Sequence, residues 1–156
     1  MNTYPEFKKV LFCTDFSENA DDAFTFARGL AERDQGLLYI LHVIPPNPYL
    51  MYAYMTPENA EKMDRGIAQY LEESFTTHYV KNMNQGARFK IVTKTGREQD
   101  EILAVAKEEN VDVIVMGTHG RTGIEHVLFG SVAEKVLRLS AFPVFVIPCR
   151  KRRECS

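Results

Sequence analysis

Gly117 and Gly120 are separated by two residues, nine more follow, and Gly130-Ser131 ends the run. The stretch Val113-Ile-Val-Met-Gly-Thr-His-Gly-Arg-Thr-Gly-Ile-Glu-His-Val-Leu-Phe-Gly-Ser131 leads from an apolar, strand-like segment through a glycine-spaced loop into a helix start. Glycine lets the chain turn sharply at a strand exit and lets a ligand approach the backbone. The helix start beyond it offers N–H groups without helical partners and the positive end of a dipole, which is the physics of a phosphate site. Anion or nucleotide binding accounts for this spacing better than a plain glycine-rich turn. The loop is not a Walker A loop, since no Gly-Lys-Ser/Thr follows. Nor is it a Rossmann Gly-x-Gly-x-x-Gly, which belongs after the first strand of its domain.

Asp15 is the second group with chemistry to offer. It follows the apolar run Val10-Leu-Phe-Cys13, which Thr14-Asp15-Phe16-Ser17 breaks with residues that favour turns and helix caps. In an open α/β sheet, ligands bind beyond the C-terminal strand ends, where the strand order reverses. With the first strand central, Cys13-Thr14-Asp15 faces Met116-Gly117 at the exit of the fourth. A carboxylate there suits a ribose, a base N–H or a metal that bridges phosphates; it suits a chain turn or helix cap equally well. His119 and His126 invite a catalytic reading, but no nucleophile–base–orienter set surrounds them, and His119 reads as a loop side chain near a ligand's sugar or phosphates. Arg121 has the fork to hold a phosphate with two N–H groups, with an exposed loop arginine as the alternative. His42 at a strand end reads as a packed residue, and His78 falls on the polar side of a helix.

The elements that would carry these groups alternate along the chain. A helix from Ser17 places Ala20, Ala23, Phe24, Ala27, Leu30 and Ala31 on one face at 3.6-residue spacing. Gly36 precedes a second strand over 37–43. Thr56-Pro57 reads as an N-cap with proline at the first helical position, and the helix it opens runs towards Met83 with Ala60, Met63, Ile67, Tyr70, Leu71 and Phe75 inward. A third strand over 89–93 ends near Gly96, a third helix spans 98–109, and a fourth strand spans 111–116. The spacing from Ser131 to Glu134 matches a capping box and starts a fourth helix that Ser140 closes. Pro143-Val-Phe-Val-Ile-Pro148 is a fifth strand whose flanking prolines suit a sheet edge. The sum is βαβαβαβαβ with near-continuous apolar strands: a single α/β domain over 1–148, its parallel sheet covered by helices on both faces, followed by a basic tail over 149–156.

Composition narrows the function classes. The 156 residues fit one domain, 45% of them are hydrophobic, and the net charge of −2 offers no field for nucleic acid or an anionic membrane surface. Arg150-Lys151-Arg152-Arg153 is the one basic run, and a solvated tail explains it best. The three cysteines, Cys13, Cys149 and Cys155, form no disulfide or zinc pattern and suit a reducing, cytoplasmic setting. No apolar stretch approaches the ~18 residues of a membrane span, and the first residues have no signal-peptide character. The Tyr49–Met55 run, with three tyrosines and two methionines, is expected to be a loop packed on its own domain; the alternatives are closure over a ligand or a partner surface.

Taken together, the glycine spacing after the fourth strand, Lys9-Val-Leu-Phe-Cys-Thr-Asp-Phe-Ser17, Leu41-His-Val43 and Pro143-Val-Phe-Val-Ile-Pro148 resemble the universal stress protein family in its ATP-binding type, over nearly the whole chain. The resemblance implies a Rossmann-like five-stranded sheet in the order 3-2-1-4-5. It implies ATP, with magnesium or manganese, and a homodimer through the last strand, Val144–Ile147. It places Thr14 and Asp15 at the adenosine end and Val43 against adenine. Gly117, His119, Gly120, Gly130, Ser131 and Val132 then surround the ribose and phosphates. Met116, from its place at the strand exit, and Arg121, from its fork, are added as candidate ATP-binding residues, and Asp15 is the one candidate to meet a nucleotide-bound metal. Two residues depart from the family pattern: Cys13 stands where relatives often carry proline, and Ala133 where some offer a hydroxyl.

Three functions follow as expectations. The first is an ATP-binding regulatory or sensor module for stress responses. The second is a slow ATPase or a transferase, disfavoured because no general base or Walker lysine is evident. The third is a nucleotide-free stress scaffold, disfavoured because the glycine-serine signature is intact.

Overall fold

The structure is a computed structural model and describes residues 4–46, 52–118 and 130–149. Five strands, β1 (Lys9–Thr14), β2 (Leu37–Ile44), β3 (Arg88–Thr95), β4 (Val113–Gly117) and β5 (Val144–Ile147), form one sheet. Its order is β3-β2-β1-β4-β5, and every neighbouring pair is parallel. The helices are α1 (Glu18–Arg33), α2 (Pro57–His78), α3 (Glu98–Glu109) and α4 (Ser131–Leu139).

Alternation along β1 explains the two layers. Val10 and Phe12 point to one face, where they join Ala20, Ala23, Phe24 and Ala27 of α1 and Phe75 of α2. Leu11 and Cys13 point to the other, among Ile102, Val105 and Ala106 of α3 and Ala133 and Val136 of α4. Full burial of each of these large side chains stabilises the fold by roughly 1.5–3 kcal/mol before chain entropy is counted. β1 is buried on both faces, as expected of a strand in the middle of a sheet covered on both sides, and it is the central strand. Gly36 is required where α1 hands over to β2: a Cβ there would sit 2.6 Å from the Phe7 carbonyl oxygen.

Four details differ from the periodicity. The second helix ends at His78 rather than near Met83; Tyr79 is its C-cap, and one 3-10 turn, Val80–Asn82, follows. Of its expected inward face only Phe75 is buried, while Ala60, Met63, Ile67 and Leu71 are half-buried and Tyr70 is exposed. A 22-residue helix is about 33 Å long against a sheet of strands no longer than eight residues, so its first turns overhang the core. The third strand is longer than its apolar core because edge pairing with β2 extends through Thr95. The capping box does not form: Gly130 is the N-cap of α4 and no side chain caps that end.

Candidate functional site

At the C-terminal ends of β1, β2 and β4 the crossovers leave in opposite directions, and a cavity of about 420 Å³ opens there. This volume lies within the roughly 300–1,000 Å³ of small-molecule sites. Cys13, Thr14 and Asp15 form its floor. Leu41, His42, Val43 and Pro45 form one wall, Met116 and Gly117 the other. Glu98 and Ile102 of α3 and residues 130–133 at the start of α4 close it from one face, with Tyr70 on the α2 side.

The floor is held by side chains that are far away in sequence. The Thr14 hydroxyl accepts the Phe16 N–H at 2.8 Å and lies 2.5 Å from the Tyr79 hydroxyl. The Thr14 carbonyl accepts from His42 Nδ1 at 2.8 Å, which fixes the proton on that nitrogen because a carbonyl cannot donate. Phe16 has φ of 61°, a left-handed conformation uncommon for a bulky residue, and packs against His42, Phe75 and Tyr79. Backbone strain of this kind gathers at ligand sites. It turns the chain after Asp15, whose Oδ1 accepts the Ser17 N–H at 3.1 Å, while Ser17 caps α1 through the Ala20 N–H at 3.2 Å. Asp15 thus shapes the turn and lines the cavity at once. Burial pushes the Tyr79 phenol well up, with the Thr14 hydrogen bond acting against the shift, and burial alone pushes the Cys13 thiol up. The Cys13 sulfur at the cavity floor therefore stays a protonated, weakly nucleophilic thiol.

The opposite side is built from backbone. The Gly130 carbonyl accepts the Glu134 N–H at 3.0 Å, so the helical ladder of α4 begins there. The N–H groups of Ser131, Val132 and Ala133 have no intrahelical acceptor, and these residues line the cavity. Ser131, as the first helical residue, does not spend its hydroxyl on a cap. The Gly130 N–H donates to the Thr118 carbonyl at 2.7 Å, and the Thr118 N–H to Ile147 at 3.1 Å. The chain therefore returns from the glycine-spaced loop to the point where it left β4. Gly117 is small for a reason inside the fold as well: a Cβ there would lie 3.1 Å from the Asn19 carbonyl of α1.

The cavity brings together Thr14, Asp15, Val43, Met116, Gly117, Gly130, Ser131 and Val132. His119, Gly120 and Arg121 lie outside the described residues, as do His126, positions 49–51 and the basic run from Arg150. Sequence reasoning missed Tyr79, whose helical pattern gave no hint that a C-cap residue is wholly buried under the site. It missed Glu98, which reads as an ordinary acidic helix start, and Pro45 and Ile102. His78, dismissed as a polar-face residue, meets Asp21 of α1 at 3.0 Å and ties the end of α2 to the helix that leaves the site. Among the described residues no three His, Cys, Asp or Glu side chains come together as a metal site. No described helix is long and apolar enough to cross a membrane.

Comparison with known proteins agrees with this geometry. The profile of the universal stress protein family matches residues 6–148. Universal stress protein MJ0577 of Methanocaldococcus jannaschii is 29% identical over 90% of this chain and 94% of its own. Its solved structure superposes with a TM-score of 0.74 over 92% of this chain and 97% of that one. Universal stress protein MJ0531 of the same organism is 31% identical, over 94% of this chain and 85% of its own. Among more distant members that share the fold, one was solved in complex with cAMP (22% identical, TM-score 0.63) and one from Archaeoglobus fulgidus in complex with dAMP (20% identical, TM-score 0.55).

Proposed function

The chain belongs to the universal stress protein family, and from that premise we propose that it is an adenine-nucleotide-binding regulatory module whose physiological ligand is ATP. The observation that carries the reading is the cavity at the strand-order reversal, with an apolar wall at one end and the first turn of α4 at the other. A purine fits against Leu41, Val43 and Pro45, and phosphates fit against the N–H groups of residues 131–133, where the helix dipole favours negative charge. His119, Gly120 and Arg121 would complete the phosphate end. Magnesium or manganese would arrive with the phosphates and neutralise them, Asp15 being the cavity carboxylate suited to its hydration shell. That family members of the same fold were solved with cAMP and dAMP supports the ligand class. Natively purified protein should release ATP or another adenine nucleotide on denaturation, identified by mass spectrometry. Release of a different class of small molecule would redirect the assignment.

The signalling output would be a change in a homodimer. The Pro143 carbonyl accepts from Ile114 of β4 and the Ile147 carbonyl from Thr118 just beyond it, so Val144 and Val146, which alternate with them, turn their own N–H and C=O groups to the open edge. An unpaired edge of apolar residues is a template for pairing with a second copy.

A further inference from the structure

We propose that Glu98 is a specificity-determining residue that reads the ribose of the bound nucleotide, accepting hydrogen bonds from its 2′- and 3′-hydroxyls. The inference rests on the assignment of the cavity to an adenine nucleotide. Glu98 is the first residue of α3 and lines the cavity. Its position is set by the neighbouring strand: the Gly96 N–H donates to the Ile44 carbonyl at 3.0 Å, which starts α3 beside the end of β2. That is the nucleoside end, since the N–H groups suited to phosphate lie across the cavity at α4. Among the described residues, no side chain or N–H hydrogen-bonds the Glu98 carboxylate.

A carboxylate only accepts hydrogen bonds, so the ligand atoms it can face are donors. Adenosine has two kinds, the exocyclic amine and the sugar hydroxyls. The amine belongs with the purine, against the β2 wall of Val43 and Pro45. With Asp15 holding the Ser17 N–H and assigned to the metal, the vicinal hydroxyls, placed between purine and phosphates, fall to the group that enters from α3. An acidic side chain on a ribose hydroxyl is a recurrent solution in nucleotide-binding α/β sheets, and it repels a phosphate on that sugar edge. The charged side chains among the described lining residues, Asp15 and Glu98, are both negative, so Glu98 has no cation beside it among them to accommodate a phosphate on the sugar.

The test is titration calorimetry of full-length wild type, Glu98→Ala and Glu98→Gln with ATP, 2′-deoxy-ATP and adenosine 2′,5′-bisphosphate. Wild type should prefer ATP over 2′-deoxy-ATP by about tenfold or more, as loss of a hydrogen bond to a charged acceptor implies. In Glu98→Ala, ATP loses both hydroxyl contacts and 2′-deoxy-ATP only the one to its 3′-hydroxyl, so ATP should weaken by the larger factor and the preference for ATP over 2′-deoxy-ATP should disappear. Glu98→Gln should admit the 2′-phosphate that wild type excludes. Equal losses for ATP and 2′-deoxy-ATP in Glu98→Ala would show that Glu98 only stabilises the start of α3 and would overturn the proposal, with nucleotide binding intact. Wild type that binds no adenine nucleotide would overturn the site assignment and this proposal together.

Discussion

The Tyr79 hydroxyl joins the core to the ligand cavity. It is buried beneath Thr14, and the Thr14 hydroxyl in turn receives the Phe16 N–H that sets the turn around Asp15. Tyr79→Phe keeps the ring packing against Phe12 and Phe24 but leaves the Thr14 hydroxyl short of a partner. We expect a stability loss of about 1 kcal/mol in urea unfolding and severalfold weaker ATP binding by calorimetry. Unchanged binding would mean that the turn at Asp15 holds its shape without Tyr79. Thr14 and Asp15 were legible in the sequence because they stand where an apolar run stops. Tyr79 was not, because its role arises from a partner 65 positions away.

Helix ends show the same division. Helix α1 begins at a cap that its sequence announces, Ser17, and it ends on a contact that nothing local announces: Asp34 accepts the Phe7 N–H at 2.7 Å and pairs with Arg33. The Arg33 guanidinium, then the Phe7 N–H, lower the Asp34 carboxyl from its ordinary 3.8 to about 2. A carboxyl depressed on folding stabilises the fold above its unfolded value and loses that contribution as pH falls from about 4 towards 2. Asp34→Asn should therefore be less stable than wild type at neutral pH and approach it below pH 3; parallel stability curves across that window would contradict the assignment. At α4 the register was legible but the cap was not. Ser131 and Glu134 have capping-box spacing, yet the Gly130 carbonyl, anchored through its own N–H to Thr118, takes the first helical bond. The consequence is functional, since the Ser131 hydroxyl is not used as a cap.

At the scale of the whole molecule, strand order was the most legible property. The order itself was legible through the family resemblance, and from the residues alone the prolines on both sides of β5 mark an edge. The overhang of α2 was not legible, because helical periodicity records an apolar face and not whether the sheet is long enough to cover it. The open edge of β5 carries the dimer proposal. Val146→Pro removes an N–H that makes no bond to β4, so the protomer should fold while sedimentation shows a dimer becoming a monomer; a dimer that persists would place the interface elsewhere. The central claim, that the cavity between β1 and β4 holds ATP, is tested most directly by the melting temperature of the full-length protein with and without Mg-ATP. ATP at about a hundred times its Kd adds about 2.7 kcal/mol to the native state, which for a chain of this size raises Tm by roughly 5–10 °C. A rise of that order that saturates with ATP is the predicted result, and an unchanged Tm at millimolar Mg-ATP, in protein shown to carry no bound nucleotide, would contradict it.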